Sequence, residues 1–240
     1  MEAYKVQFTM EDRFLDKAGR VRPGALLYFA QESAGAHCAL MGANNIGSLF
    51  WAVIRHRVQI TRLPVAGEVV TVETWPMPTT RTAFPRVCFG YDKDGNELFA
   101  VHSLWVLMDM QTRAMVLPGK SGVDVPGLVK GNEPDAPGSI LPKELPAAGI
   151  RSVAQEDLDK NGHMNNTRYL DWVWELLPGQ WAEKTPREFT VCYLSECRFG
   201  QEMFLFCGQT TPDSLQFEGR RKRVDEPEKT ERVFAVNVCF

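Results

Sequence analysis

Few features of this 240-residue sequence are extreme, and each absence removes a class of function. No apolar run approaches the roughly 18 residues a membrane helix needs, and the start, Met1-Glu2-Ala3-Tyr4-Lys5, lacks the basic and apolar regions of a secretory signal. These two absences lead us to expect a soluble, cytoplasmic protein with no membrane span. Six cysteines (Cys38, Cys88, Cys192, Cys197, Cys207, Cys239) show no C-x-x-C and no regular spacing, which argues against a disulfide framework or structural zinc and fits reduced thiols. A net charge of −3 supplies no basic footprint for nucleic acid. H-x-x-x-H, P-loop and G-x-G-x-x-G patterns are missing, so metal, ATP and NAD are not implied and no cofactor is expected. His37, His56 and His102 are isolated among apolar or strand residues and read as structural.

What is present is ordinary core-forming material, 44% hydrophobic, with an uneven scatter of proline. Pro118, Pro126, Pro134, Pro137, Pro142 and Pro146 crowd one Gly-rich segment, which should run extended over the surface. The expected organisation is a first domain over 1–117, a linker over 118–150 and a second domain over 151–240. In the first, a strand from Tyr4 to Met10 precedes a helix from Pro23 to Met41, with Leu26, Leu27, Phe29, Ala30, Ala34 and Cys38 at helical spacing. Strands follow over Trp51–Thr61, Gly67–Trp75, Arg81–Tyr91 and Glu97–Met108, the last two joined by a turn at Asp92-Lys93-Asp94-Gly95-Asn96. The second half repeats the order: a short strand over Arg151–Gln155, a helix over Asn166–Leu177, then strands over Glu188–Cys197, Glu202–Thr210, Ser214–Arg221 and Glu231–Phe240.

Two echoes support a duplication. Phe99-Ala100-Val101 recurs as Phe234-Ala235-Val236, and Asp16-Lys17-Ala18-Gly19-Arg20-Val21 matches Asp159-Lys160-Asn161-Gly162-His163-Met164. Asn161 and His163 face Ala18 and Arg20, so the polar chemistry survives in the second copy alone, which predicts one active centre per chain. A long helix wrapped by an antiparallel sheet, occurring twice, is the hotdog pattern. The expected fold class is therefore α+β, two tandem hotdog domains fused in one chain.

The densest polar cluster runs from Asp157 to Asn166 and feeds a helix start, where free N–H groups favour negative charge on a carbonyl oxygen. Asp159, Asn161 and His163 are spaced two apart, so an extended loop would send their side chains from one face. Such a trio suits acyl-group hydrolysis, and equally suits turn and capping chemistry. Asp159-x-Asn161-x-His163-Met164-Asn165-Asn166-x-x-Tyr169-x-x-Trp172 resembles the D-x-N-x-H-V-N-N-x-x-Y-x-x-W signature of the acyl-ACP thioesterases of plants and bacteria. Tyr193-Leu194-Ser195-Glu196-Cys197 resembles their Y-x-x-E-C segment, and Trp51-Ala52-Val53 through Gly67-Glu68-Val69-Val70 their first-half strand pair. Met164 stands for the usual Val, Gly162 for a common Gln, and no plastid transit peptide is seen, which suggests a bacterial relative.

The resemblance implies hydrolysis of fatty acyl-ACP to free fatty acid and carrier thiol, with acyl carrier protein as partner, a site of Asp159, Asn161, His163 and Glu196, and no metal. Glu196 would be the general base on the first long strand of the second half. His163 would orient water or protonate the leaving thiolate, Asn161 would hold water or substrate, and Asp159 would fix the geometry of Asn161 or His163. The backbone N–H groups of Met164 and Asn165 would polarise the carbonyl. Cys197 is a rival nucleophile with His163 and Asn161; strand alternation would keep Glu196 and Cys197 from facing one site together. An acyl-CoA thioesterase and a non-catalytic acyl-binding module remain as alternatives, and a homodimer is compatible with the sequence. Small residues on the first helix (Ala25, Ala30, Ala34, Gly35, Ala36, Ala39) suggest an acyl tunnel whose depth Phe29, Met41, Trp51, Trp75 or Trp105 could set. Arg220-Arg221-Lys222-Arg223, or Arg55, Arg57 and Arg62, could meet the acidic carrier, although Asp225, Glu226, Glu228 and Glu231 offset the first run.

Overall fold

The computed structural model describes residues 2–240. The chain divides into two compact units, one of the residues up to Val21 with Ala25–Pro137, the other of Arg22–Gly24 with Gly138–Phe240. In the first unit β1 (Tyr4–Thr9) leads through a 3-10 turn (Asp12–Phe14) to α1 (Gly24–Leu40). Then come β2 (Leu49–Ile60), β3 (Val69–Pro76), β4 (Phe84–Tyr91), β5 (Glu97–Asp109), β6 (Met115–Val116) and the single-turn helix α2 (Pro118–Ser121). The strands pair antiparallel in the order β1-β3-β4-β5-β2, with β6 on β5.

Local chemistry accounts for these elements. At the β4–β5 turn the Asp92 carboxylate accepts the N–H groups of Asp94 and Asn96, and Gly95 takes φ +83°, a left-handed conformation that suits glycine. In α1, Leu26, Leu27 and Phe29 are fully buried, each contributing about 1.5–3 kcal/mol by removal from water. Phe29 stacks on Phe8 of β1 at 4.7 Å between centroids, and His37, two turns on, stacks on Tyr4.

In the second unit β7 (Ala147–Ser152) leads through a 3-10 turn (Gln155–Asp157) to α3 (Arg168–Glu175) and α4 (Gly179–Ala182). β8 (Glu188–Tyr193), β9 (Glu202–Thr211), β10 (Ser214–Lys222) and β11 (Thr230–Cys239) follow, paired in the order β7-β9-β10-β11-β8. Element for element this is the order of the first unit, and both are hotdog sheets. The second helix is the shorter: α3, with 8 residues against 17 in α1, lies within the expected 166–177 span, Pro178 cannot continue it, and the chain restarts as α4.

The recurring Phe-Ala-Val has a packing role in each sheet. Phe99 pairs with Gly90 and Phe234 with Gly219 across neighbouring strands, and a Cβ on either glycine would overlap the opposing ring. The proline-rich stretch is not a free linker. His102 Nδ1 bonds Pro134 O at 2.8 Å in the first unit. In the second, Gln216 Nε2 donates to Leu141 O and Arg232 to Ile140 O, while Arg220 and Arg232 neutralise the buried Glu218.

Phe99 and Phe234 are fully enclosed and have no room to swing aside. Gly90→Ala and Gly219→Ala should each destabilise by about 1–3 kcal/mol through overpacking, read as a lower urea midpoint at unchanged slope.

Candidate active site

The polar loop is not extended. Leu158 and Met164 form an antiparallel bridge, and the chain between them turns about one carboxylate. Asp159 Oδ1 accepts the N–H groups of Asn161 at 2.8 Å and His163 at 3.1 Å, while the Asp159 N–H donates to His163 O at 2.7 Å. Gly162 closes the turn at φ +77°. Asp159 is thus spent on the turn, with its second oxygen 3.4 Å from Asn161 Nδ2.

Immediately after the turn the chain joins the segment that follows β8. His163 bridges Arg198, and the Met164 N–H donates to Cys197 O at 2.8 Å. This seam brings His163 Nε2 to 3.4 Å from Glu196 Oε2, the imidazole 19% and the carboxylate 44% exposed. Glu196 is therefore not a strand residue: β8 ends at Tyr193, and Glu196 lies in the bend beyond it. Arg221 holds that bend, donating to Glu196 O and Ser195 Oγ at 2.7 Å each and to Glu231 at 2.7 Å. As part of a basic run Arg221 carried no local signal of this role, since its partner Ser195 lies 26 residues away.

Two further expectations are corrected. The N–H groups of Met164 and Asn165 donate to Cys197 O and Asp157 O at 2.8 Å each, so neither is available to polarise a carbonyl. Alternation does not choose between Glu196 and Cys197, because neither lies in a regular strand. Burial does separate them: Cys197 is fully enclosed, with Sγ 3.8 Å from Met203 Sδ, and burial pushes its thiol pKa up despite the hydrogen bond with Tyr169. At the helix start a buried ionic chain, unforeseen in the sequence, links Asp157 to Arg168 at 3.0 Å and Asp171 to Arg168 and Arg22 at 2.7 and 2.8 Å.

The first unit carries the same backbone without the chemistry. Asp16 Oδ1 accepts the N–H groups of Ala18 and Arg20, and Gly19 takes φ +77°. There Arg20 folds back onto Asp16 Oδ2 at 2.9 Å. The N–H groups of Thr61 and Arg62 both reach Leu98 O, as those of Leu194 and Ser195 both reach Val233 O, so Leu63 occupies the position equivalent to Glu196.

The first unit has instead a cavity of about 190 Å³, lined by Gln31, Ala34, Gly35 and Cys38 of α1 and by Trp51, Phe84, Arg86 and Trp105 of the sheet, among others. Of the bulky residues expected to set its depth, Trp51 and Trp105 line it; Phe29, Met41 and Trp75 are not among the lining residues. Among the described residues no three His, Cys, Asp or Glu side chains converge as metal ligands would, and no helix is long and apolar enough to cross a membrane.

Residues 1–117 match the acyl-ACP thioesterase N-terminal domain, and residues 150–231 match the acyl-ACP thioesterase C-terminal domain. The chain belongs to the acyl-ACP thioesterase family. This acyl-ACP thioesterase family member is 29% identical over 198 residues to a chloroplastic palmitoyl-acyl carrier protein thioesterase of Cuphea hookeriana, covering 73% of this chain and 46% of the relative. It is 28% identical over 192 residues to the chloroplastic oleoyl-acyl carrier protein thioesterase of Coriandrum sativum, covering 70% and 52%. The chain spans about half the length of the curated relatives it matches. Its structure resembles an acyl-ACP thioesterase from Bacteroides thetaiotaomicron, with a TM-score of 0.86 at 25% identity over 99% of this chain and 97% of that one. The fold also matches a 12:0-ACP thioesterase from Umbellularia californica, with a TM-score of 0.78 at 22% identity over 98% and 96%.

Because the Cys197 thiol is enclosed and burial pushes its pKa up, Cys197→Ser should leave most of any turnover in place. Thiol labelling of the native protein should spare Cys197; total loss of turnover in the variant, with labelling blocked by substrate, would restore it as nucleophile.

Proposed function

We propose that the protein hydrolyses acyl-ACP thioesters, releasing free fatty acid and the carrier thiol. The observation that carries this reading is the 3.4 Å approach of His163 Nε2 to Glu196 Oε2, in a loop bearing the family signature. Glu196 removes a proton from water, whose oxygen bonds to the thioester carbonyl carbon; as the C–S bond breaks, the proton passes through His163 to the departing sulfur. Asn161 and His163 are the side-chain donors left for water and the carbonyl oxygen, since the nearby backbone donors are occupied. Asp159 acts through the turn it closes, and Arg221 through the bend that carries Glu196. The acyl tail is read by the cavity of the first unit. Six free cysteines fit a reducing compartment, and we infer a cytoplasmic protein of bacterial type.

Glu196→Gln should lower kcat by roughly 10²–10⁴-fold with a smaller change in KM, followed by thiol release. Unchanged turnover would sink the base assignment.

Carrier docking has less support from the basic run, since Arg220, Arg221 and Arg223 are each paired with a carboxylate of their own unit. Matched ACP and CoA esters of one acyl chain discriminate the readings. A higher kcat/KM on the carrier ester is expected, equal values would indicate a general acyl thioesterase, and tight binding without thiol release would indicate an acyl-binding module.

A further inference from the structure

The bend that carries Glu196 has a counterpart in the first unit, and the two are closed by different residues. In the first, Glu68 Oε2 accepts the Val65 N–H at 2.8 Å and Arg62 Nη1 at 3.0 Å, and the hydrogen bonds from Arg62 hold the Glu68 carboxyl below the usual carboxylate range. In the second, Gln201 Oε1 accepts the Arg198 N–H at 2.9 Å and Arg221 Nη1 at 3.3 Å. The backbone around them matches bond for bond. Glu68 and Gln201 donate their N–H groups to Val65 O and Arg198 O, and the preceding Gly67 and Gly200 donate to Met10 O and Val153 O. One geometric job is therefore done by a carboxylate in the copy that has Leu63 and by a neutral amide in the copy that has Glu196.

Hydrogen bonding alone does not account for the exchange. Each oxygen meets an N–H and a guanidinium, and a carboxylate would make the stronger bonds, since charge-assisted hydrogen bonds are roughly twice as strong as neutral ones. What distinguishes the second bend is the charge already gathered on it. His163 of the turn lies 3.4 Å from Glu196, Arg221 of β10 donates to Glu196 O, and Glu231 of β11 binds the same guanidinium at 2.7 Å. Asp159 closes the neighbouring turn, Tyr169 of α3 hydrogen-bonds the Cys197 thiol, and Arg198 lies on the bend itself. A carboxylate at 201 would compete with Glu231 for Arg221 and set a further negative charge beside Glu196, which disfavours a carboxylate and favours an imidazolium.

We propose that Gln201 is a positioning residue for the Glu196–His163 pair: its amide oxygen ties the Arg198 N–H to the Arg221 guanidinium and so fixes the bend, while its neutrality spares the pair another anion. The catalytic consequence rests on the hydrolase reading; the electrostatic one can be read without turnover.

Two variants separate the roles. Gln201→Glu keeps the acceptor, as Glu68 does, and adds a charge; Gln201→Met keeps the length and removes the acceptor. Proton NMR follows the His163 ring through a pH titration of the intact protein at low ionic strength, its signal assigned by its loss in His163→Gln. In Gln201→Glu the titration midpoint should rise by roughly half a pH unit, the size expected of one added charge near a partly exposed site, and added salt should shrink the rise. With an acyl thioester the kcat/KM profile of this variant should move to higher pH and regain at its own optimum at least about half of the native maximum, whereas Gln201→Met should lose about 10-fold in kcat with KM within about 2-fold. Gln201→Glu, whose cap the first unit already builds, decides alone if Gln201→Met does not fold. A midpoint that stays at the native value in Gln201→Glu, or an equal loss of kcat in both variants, overturns the proposal. Thiol release by the native protein is scored separately: its absence defeats the hydrolase reading and leaves the midpoint to decide this one, and release with an unmoved midpoint defeats this one alone.

Discussion

One carboxylate sets the site. Asp159 gathers the amides of its own turn and leaves His163 at the exit, where the chain crosses to the segment carrying Glu196. The turn is cheap to encode, since an Asp and a Gly three residues on are enough to close it, and the first unit closes the same turn with Asp16 and Gly19. What differs is the residue at the exit. Arg20 carries a permanent charge and returns to the free oxygen of Asp16, while His163 leaves Asp159 and reaches toward a second acid. The duplication thus supplies an internal comparison. With Ala18, Arg20 and Leu63 standing for Asn161, His163 and Glu196, the scaffold persists without the amide, imidazole or carboxylate.

Much of this was legible in sequence because it rests on local rules. The hairpin at Asp92–Asn96, the extent of α1 and the repeat of Asp-Lys-x-Gly all follow from turn and capping chemistry within a few residues. Phe-Ala-Val was visible as an echo, but its cause, a ring laid over a glycine of the next strand, appears only with the register. The failures are long-range. β8 stops at Tyr193 because the N–H groups of Leu194 and Ser195 both turn to Val233 O, and no local composition announces that. The Met164 and Asn165 amides looked free beside a helix start, yet Cys197 and Asp157 claim them. Arg221 read as one of four basic residues, although its guanidinium fixes the bend that bears Glu196.

The way each unit treats buried polar groups separates structure from function. In the second unit Glu218 is enclosed but bound by Arg220, Arg232 and Gln216, and Asp157 and Asp171 share Arg168. Such groups offset their desolvation with partners supplied by the fold, and they ask for no ligand. The indole of Trp172 is unpaired as well, but its ring is fully buried, so it costs stability without offering a contact. A leftover donor in a packed core is a defect the rest of the fold outweighs. The two units thus carry different features, an apolar cavity in one and a turn-held imidazole beside a bend-held carboxylate in the other, and each is built from its own local contacts.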